Sequence, residues 1–366
     1  MRTIVVGGGI LGACTLYELA RAGEKAVLLE AGAFGGEGTG ASAAIVRTHY
    51  SNPEVVRMAV RSREAFMGRP FYERCGWLFL VDEADADLAR ENRAMQLEAG
   101  APSDEVDPAE FGLSGDRVAY ALFERDSGFA DPVAATRWYV EAARREGAEA
   151  REHTRVDAIE PGRGVHADGE LLPAENVVLA AGAWSKKLAA AIGLDLPLET
   201  PREQDVVFQT DTTLRHAISS QVDRIYLRPD GTGRLLVGRG YPKEYELVDP
   251  DDYDESIDAD FEADVLARAQ RRLPGLNGAR RVEGRVGLYE VTPDWHPLLG
   301  PVEGYDGLFL ATGGSGHCFK LAPAIGELVA GGILGRPVDY ADLRSFSLSR
   351  FAEGRMFRST YGGNRA

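Results

Sequence analysis

The chain has 366 residues, 44% of them apolar, and a formal net charge of −16. That length calls for two domains rather than one core, and the charge argues against nucleic acid or an anionic membrane as partner, since both need basic faces. No apolar run reaches the roughly 18 residues of a membrane span, and three scattered cysteines without CxxC spacing make neither a disulfide framework nor a zinc site, so no metal is expected. In chain order, TIVV (3–6) is a short β-branched strand, ILGACTLYELARAG (10–23) a helix stopping at Gly23, and KAVLLE (25–30) a second strand. This is the βαβ opening of a doubly wound sheet. It is rich in glycine, charged early and without a cleavage site, so it reads as mature structure rather than a signal peptide, in a reducing, cytoplasmic setting.

A glycine-rich linker (31–44) follows, too long for an ordinary connection. Helices are expected over 53–67, 85–101, 131–148 and 258–275, with strands over 77–82, 206–209, 224–229 and 234–239. NVVLAAGAWS (176–185) and GLFLAT (307–312) are buried strands that each run into a small-residue turn. The acidic run 249–265 reads as a solvated loop and helix start. Nucleotide-type strand–turn signals near 5, 180 and 310 alternate with mixed-sheet signals near 80 and over 205–290. One domain is therefore assembled from separated pieces, with the other inserted twice.

Gly7, Gly9 and Gly12 fit GxGxxG around Ile10 and Leu11, between a strand and a helix. The first glycine makes the turn, the second admits a pyrophosphate, and the third lets helix and strand pack closely. Glu30, followed by Ala31, ends the second strand where an acid can take a ribose hydroxyl. A second glycine turn, ATGGSGHCFK (311–320), precedes another helix far along the chain. Two remote turns suit a long resident cofactor better than an exchangeable nicotinamide. Lys320 is one of only five lysines among 41 basic residues, so it is no default surface choice.

Four stretches carry a resemblance: VVGGGILGACTLYELARAGEKAVLLE; GASAAIVRTHYSNP (40–53); NVVLAAGAWS; and GLYEVTPDWHPLLG with LFLATGGSGHCFKLAPAIGELVAG (287–331). In that order they resemble the D-amino-acid oxidase superfamily of flavoproteins, in its sarcosine oxidase and glycine oxidase branch. The resemblance implies an α/β, two-domain fold. A Rossmann-like FAD-binding domain (1–75, 145–203 and 288–366) interleaves with a substrate domain (76–144 and 204–287) built on a mixed, mostly antiparallel sheet. It implies cofactor contacts from Ser42, Val156, Ala181, Gly182, Trp184, Gly313, Gly314, Gly316 and Phe319. Arg47 and Lys320 match cations that grip a substrate carboxylate, His317 a histidine beside the flavin, and Tyr289 a tyrosine over the substrate. Each keeps a structural rival: a surface ion pair for Arg47, a cap for Lys320, a hydrogen-bonded core role for His317, packing for Tyr289.

The sequence also departs from the pattern. Gly287 stands where sarcosine oxidases attach flavin through cysteine, so FAD is expected to be non-covalent, and Cys318 replaces a glycine. Leu236 stands at the position of an oxygen-activating lysine, with Arg234 and Arg239 nearby, and Ala44 at that of an arginine stacked near the flavin. The activity implied is oxidation of a small, carboxylate-bearing amine, with electrons passed to oxygen or another acceptor. The alternatives are a flavin-dependent 2-hydroxy-acid oxidoreductase and a flavoprotein subunit of a larger complex. Homo- or hetero-oligomers are compatible with either.

Overall fold

The computed structural model describes residues 2–241 and 243–360. Its first strand, Arg2–Val6, lies between Lys25–Leu29 and Asn176–Leu179, all parallel, and Leu308–Thr312 extends the parallel set. Glu149–Arg151 and the antiparallel Leu298–Pro301 close the two edges of this six-stranded sheet. Its central strands are near-continuous apolar runs beyond their first residues because both faces are covered. Val5, Leu28 and Val178 pack into a helical layer built from Ile10–Arg21, Pro132–Arg145 and Ala322–Leu334. Ile4, Val6, Val27, Leu29 and Val177 face the opposite way, onto a three-stranded meander that starts with Val156–Glu160.

The second sheet has eight strands. Its order is Arg280–Leu288, Arg202–Gln209, Arg234–Arg239, Ile225–Pro229, Ala217–Ser220, Trp77–Val81, Tyr120–Glu124 and Asp104–Glu105. Every pair is antiparallel except Ala217–Ser220 against Trp77–Val81. Four of these strands, Asp104–Glu105, Tyr120–Glu124, Ala217–Ser220 and Arg280–Leu288, were not anticipated individually. The last buries only Leu288 and shows too little apolar alternation to be read. Val206, Phe208, Ile225, Leu227, Leu235 and Val237 point to one face, where helix Ala259–Arg272 covers them through Phe261, Val265 and Ala269. Side-chain alternation therefore turns Asp205, Tyr226 and Gly238 to the other face. Among the described residues no helix is long and apolar enough to cross a membrane.

Helix Ile10–Arg21 sits so close to the first strand that a Cβ on Gly12 would lie 2.0 Å from the Gly7 carbonyl oxygen. Gly12→Ala must push the helix away from the backbone it rests on, and overpacking of this kind costs about 1–3 kcal/mol or more. The expected result is a lower melting temperature together with loss of bound cofactor on gel filtration. Retention of both would contradict the packing described.

Candidate active site

Two cavities adjoin between the sheets. The larger, about 850 Å³, runs along the carboxyl ends of the parallel strands and is walled by Gly7, Gly9, Ile10, Leu11, Glu30, Ala31, Ser42, Val156, Ala181, Gly182 and Trp184. Gly7 sits at φ +110°, and a Cβ there would meet the Ala180 carbonyl oxygen at 2.3 Å. The turn thus exists only with glycine. Glu30 accepts the Gly8 N–H at 2.6 Å and the Gly32 N–H at 2.7 Å while still facing the cavity. The Gly35 N–H reaches back to the Gly8 carbonyl (3.0 Å) and Thr39 Oγ1 accepts the Ile10 N–H (3.2 Å). The long linker therefore folds over the first glycine turn. No acid occupies the first turn of helix Ile10–Arg21, leaving its positive end to an anion.

The acidic run is not merely solvated. Asp251, Tyr253 and Glu255 line the larger cavity. Lys187 pairs with Asp249 and Asp251, and Trp184 Nε1 donates to Asp251 at 2.7 Å, tying this segment to the turn after Asn176–Leu179.

At the second glycine turn the expectation needs correcting. Gly313 does not line either cavity; at φ +72° it bends the chain where a Cβ would strike Thr292 at 2.7 Å. The Gly314 N–H is donated to the Glu290 carboxylate (3.0 Å) and the Ser315 N–H to the Glu290 carbonyl (2.9 Å), so these amides serve the loop itself. Gly314, Gly316 and Phe319 do wall the larger cavity. A Cβ on Gly316 would lie 2.2 Å from the Tyr289 ring, so this glycine makes room for that side chain. His317 and Lys320 line the smaller cavity rather than the larger one. Gly287 borders the larger cavity, and a Cβ there would meet the Ala41 side chain at 2.6 Å. Burial pushes the Cys318 thiol far up, away from the nucleophilic thiolate.

The smaller cavity, about 220 Å³, meets the larger one at Ser42, Tyr289, Gly316 and Phe319. Arg47, Lys320, His317 and Tyr289 all line it, although they come from opposite ends of the chain. Arg47 donates to the His49 carbonyl and lies over the Tyr50 ring at 4.6 Å. Its segment is anchored by the Thr48 N–H on Glu124 (2.8 Å) and by Gln96 Nε2 on the Tyr50 carbonyl (2.8 Å). Lys320 Nζ donates to the His317 carbonyl at 3.1 Å. Burial, reinforced by Arg47, pushes Lys320 well below the usual lysine range. Arg239 and Lys243 share the wall, but they pair with Asp264 and Glu203. Leu236 is fully buried in the sheet, away from both cavities.

His317 Nε2–H donates to the Trp295 carbonyl (2.6 Å), so Nδ1 accepts from the Tyr50 hydroxyl (3.1 Å). Both ring nitrogens are engaged, and burial pushes the imidazole well below its usual range, so it stays neutral. Tyr241, Tyr245 and Trp295 add an aromatic wall, with ring centroids 5.4–6.3 Å apart.

One constellation was not legible beforehand. Asp205 and Tyr226 flank Gly238 on neighbouring strands. The Tyr226 hydroxyl donates across it to Asp205 Oδ1 at 2.7 Å. A Cβ on Gly238 would lie 2.1 Å from both partners. Tyr226 lines the smaller cavity. Burial pushes the Asp205 carboxyl up to about 6, against the lowering effect of Tyr226, Lys243 and Arg228.

The larger cavity fits a dinucleotide: a glycine turn opening onto a helix start, an acid ending the second strand, and a second glycine turn closing the far wall. Residues 2–331 match the family described as FAD dependent oxidoreductase. The chain is 29% identical over 371 residues to the glycine oxidase of Bacillus licheniformis, covering 95% of this chain and 97% of that protein. It is 26% identical over 384 residues to the monomeric sarcosine oxidase of Bacillus sp. (strain B-0618), covering 95% of each. It superposes on the solved L-proline dehydrogenase from P. horikoshii with a TM-score of 0.90 at 27% identity, covering 97% of this chain and 99% of that one. With these turns in place and nearly its whole length matched, the chain belongs to the FAD dependent oxidoreductase family, and FAD is its cofactor.

Proposed function

We propose that this protein oxidises the C–N bond of a small amino acid or N-substituted amino acid, of the glycine, sarcosine or proline kind, to an imine. The observation that carries this reading is the pair of basic side chains, Arg47 and Lys320, in a 220 Å³ aromatic-walled cavity that opens onto the FAD cavity. That volume lies below the range of drug-sized ligand sites, about 300–1,000 Å³, and suits a small substrate. The names of the relatives point to the same chemistry. Residues 1–75, 145–203 and 288–366 are proposed to hold the cofactor, and 76–144 and 204–287 to roof the substrate.

In this reading Arg47 and Lys320 hold the carboxylate and so fix the Cα–H toward the cofactor cavity. Orientation of this kind supplies much of the catalysis. Bound FAD supplies the acceptor for the electron pair of that C–H bond. The amine must be neutral for the bond to break. The Tyr226 hydroxyl gives its hydrogen to Asp205, which leaves its oxygen lone pairs to take a proton from the substrate ammonium. As that proton arrives, the phenol proton moves to Asp205, so the charge balances. Tyr241, Tyr245 and Trp295 exclude water and pack against the amine substituent. Leu236 in place of an oxygen-activating lysine supports an acceptor other than oxygen.

Anaerobic mixing of the purified flavoprotein with glycine, sarcosine, proline, D-amino acids and a matched panel of 2-hydroxy acids tests the reading. Bleaching by at least one amino acid and by no hydroxy acid is expected. Bleaching by hydroxy acids alone, or by nothing, would overturn it.

A further inference from the structure

The Glu290 carboxyl lies between the two turns that wall the FAD cavity. Its Oε1 accepts the Gly314 N–H at 3.0 Å, and its Oε2 lies 3.8 Å from the place a Cβ on Gly182 would take, on the turn that follows Asn176–Leu179. Among the described residues Glu290 makes no ion pair, and the one hydrogen bond of its carboxyl is that accepted from the Gly314 N–H. A bare carboxylate there would add to a cavity wall that already carries Glu30, Glu37, Asp157, Asp251 and Glu255 against only Arg155 and Lys187, and like charges in such a site repel.

We propose that Glu290 is a cofactor ligand that acts as the neutral acid, keeping Oε1 on the Gly314 N–H and donating its carboxyl hydrogen to an oxygen of bound FAD. Burial pushes this group up to about 7, so the acid form is accessible at neutral pH. The group packed against it, Cys318, is itself held protonated. The other charged side chains on the cavity wall are Glu30, Glu37, Arg155, Asp157, Lys187, Asp251 and Glu255. None of them makes a hydrogen bond or ion pair with Glu290, and Glu30 is committed to the Gly8 and Gly32 amides. Donation to FAD favours the neutral form further, so cofactor binding takes up a proton once the pH exceeds that of the free site.

The test is the dissociation constant of FAD for the deflavinated protein, read by quenching of flavin fluorescence between about pH 6 and pH 9. For the unsubstituted protein the constant is expected to be flat below about 7 and to rise above it, approaching tenfold per pH unit. Glu290→Gln presents an amide hydrogen where the acid had its own and keeps an oxygen for Gly314. It is expected to bind FAD tightly with the alkaline rise abolished. A flat profile for the unsubstituted protein overturns the proposal whether or not the variant folds. An alkaline rise of equal slope in Glu290→Gln also overturns it, since a residue that merely clamps the Gly314 loop would change affinity without changing the slope.

Discussion

Lys320→Met is expected to leave FAD bound and to lower kcat/KM for the amino-acid substrate by roughly 30-fold to several-thousand-fold, the equivalent of about 2–5 kcal/mol for truncating a buried charge-assisted contact. Methionine keeps the stem that packs in the second glycine segment and removes only the charge. Without ligand, burial and Arg47 both disfavour the ammonium, so Lys320 sits well below its usual range. An anionic substrate reverses that balance, and binding draws a proton onto the lysine at any pH between the two values. Calorimetric titration with an unreactive carboxylate in two buffers of different ionisation heat should therefore show proton uptake, and Lys320→Met should abolish it. Unchanged kcat/KM in the variant, or uptake that survives the substitution, would remove Lys320 from the carboxylate site.

Asp205→Asn carries the second large effect. General-base assistance is worth about 10²–10⁴-fold, so the variant should lose activity on that scale at neutral pH while retaining FAD. The sign of the pH dependence follows from the raised carboxyl. Above about 6 Asp205 is ionised and can take the relayed proton; as the pH falls through that value it is protonated and the path closes. The unsubstituted protein should thus lose kcat/KM on the acid side with an apparent value near 6. In Asp205→Asn that limb should vanish, and activity should instead rise toward alkaline pH as the free amine loses its own proton. Tyr226→Phe should resemble it, because the phenol is the only bridge described between cavity and carboxylate. An unchanged acid limb in Asp205→Asn would assign the limb to another group.

What the sequence disclosed follows from how local each feature is. The Gly7–Gly12 turn was readable because strand, turn, helix and the acid at 30 all fall within one βαβ unit, and the steric reasons for its glycines operate between near neighbours. Arg47 and Lys320 were readable through short motifs resembling a known family, and the fold brings these residues into one cavity although they lie far apart in sequence. The Asp205–Tyr226 pair depends on the register of three strands, with Gly238 as the opposed residue on the middle one. No spacing along the chain encodes that register. Gly238 read only as one more residue of a strand, when its missing side chain is what lets the hydrogen bond pass. Lys243 lies in an irregular stretch and pairs with Glu203 from another strand, a partnership that no local spacing announces. Gly314 was expected to contact the cofactor, but sequence alone could not reveal that Glu290 claims its amide and that of Ser315.

The most direct measurement is a crystal structure of the FAD-loaded protein soaked with pyrrole-2-carboxylate, a planar acid that cannot be oxidised as an amine. The expected map shows the isoalloxazine ring beside Gly316 and Phe319, with the carboxylate within about 3 Å of both the Arg47 guanidinium and Lys320 Nζ. A carboxylate bound elsewhere, or a flavin ring lying away from the opening between the two cavities, would contradict the assignment.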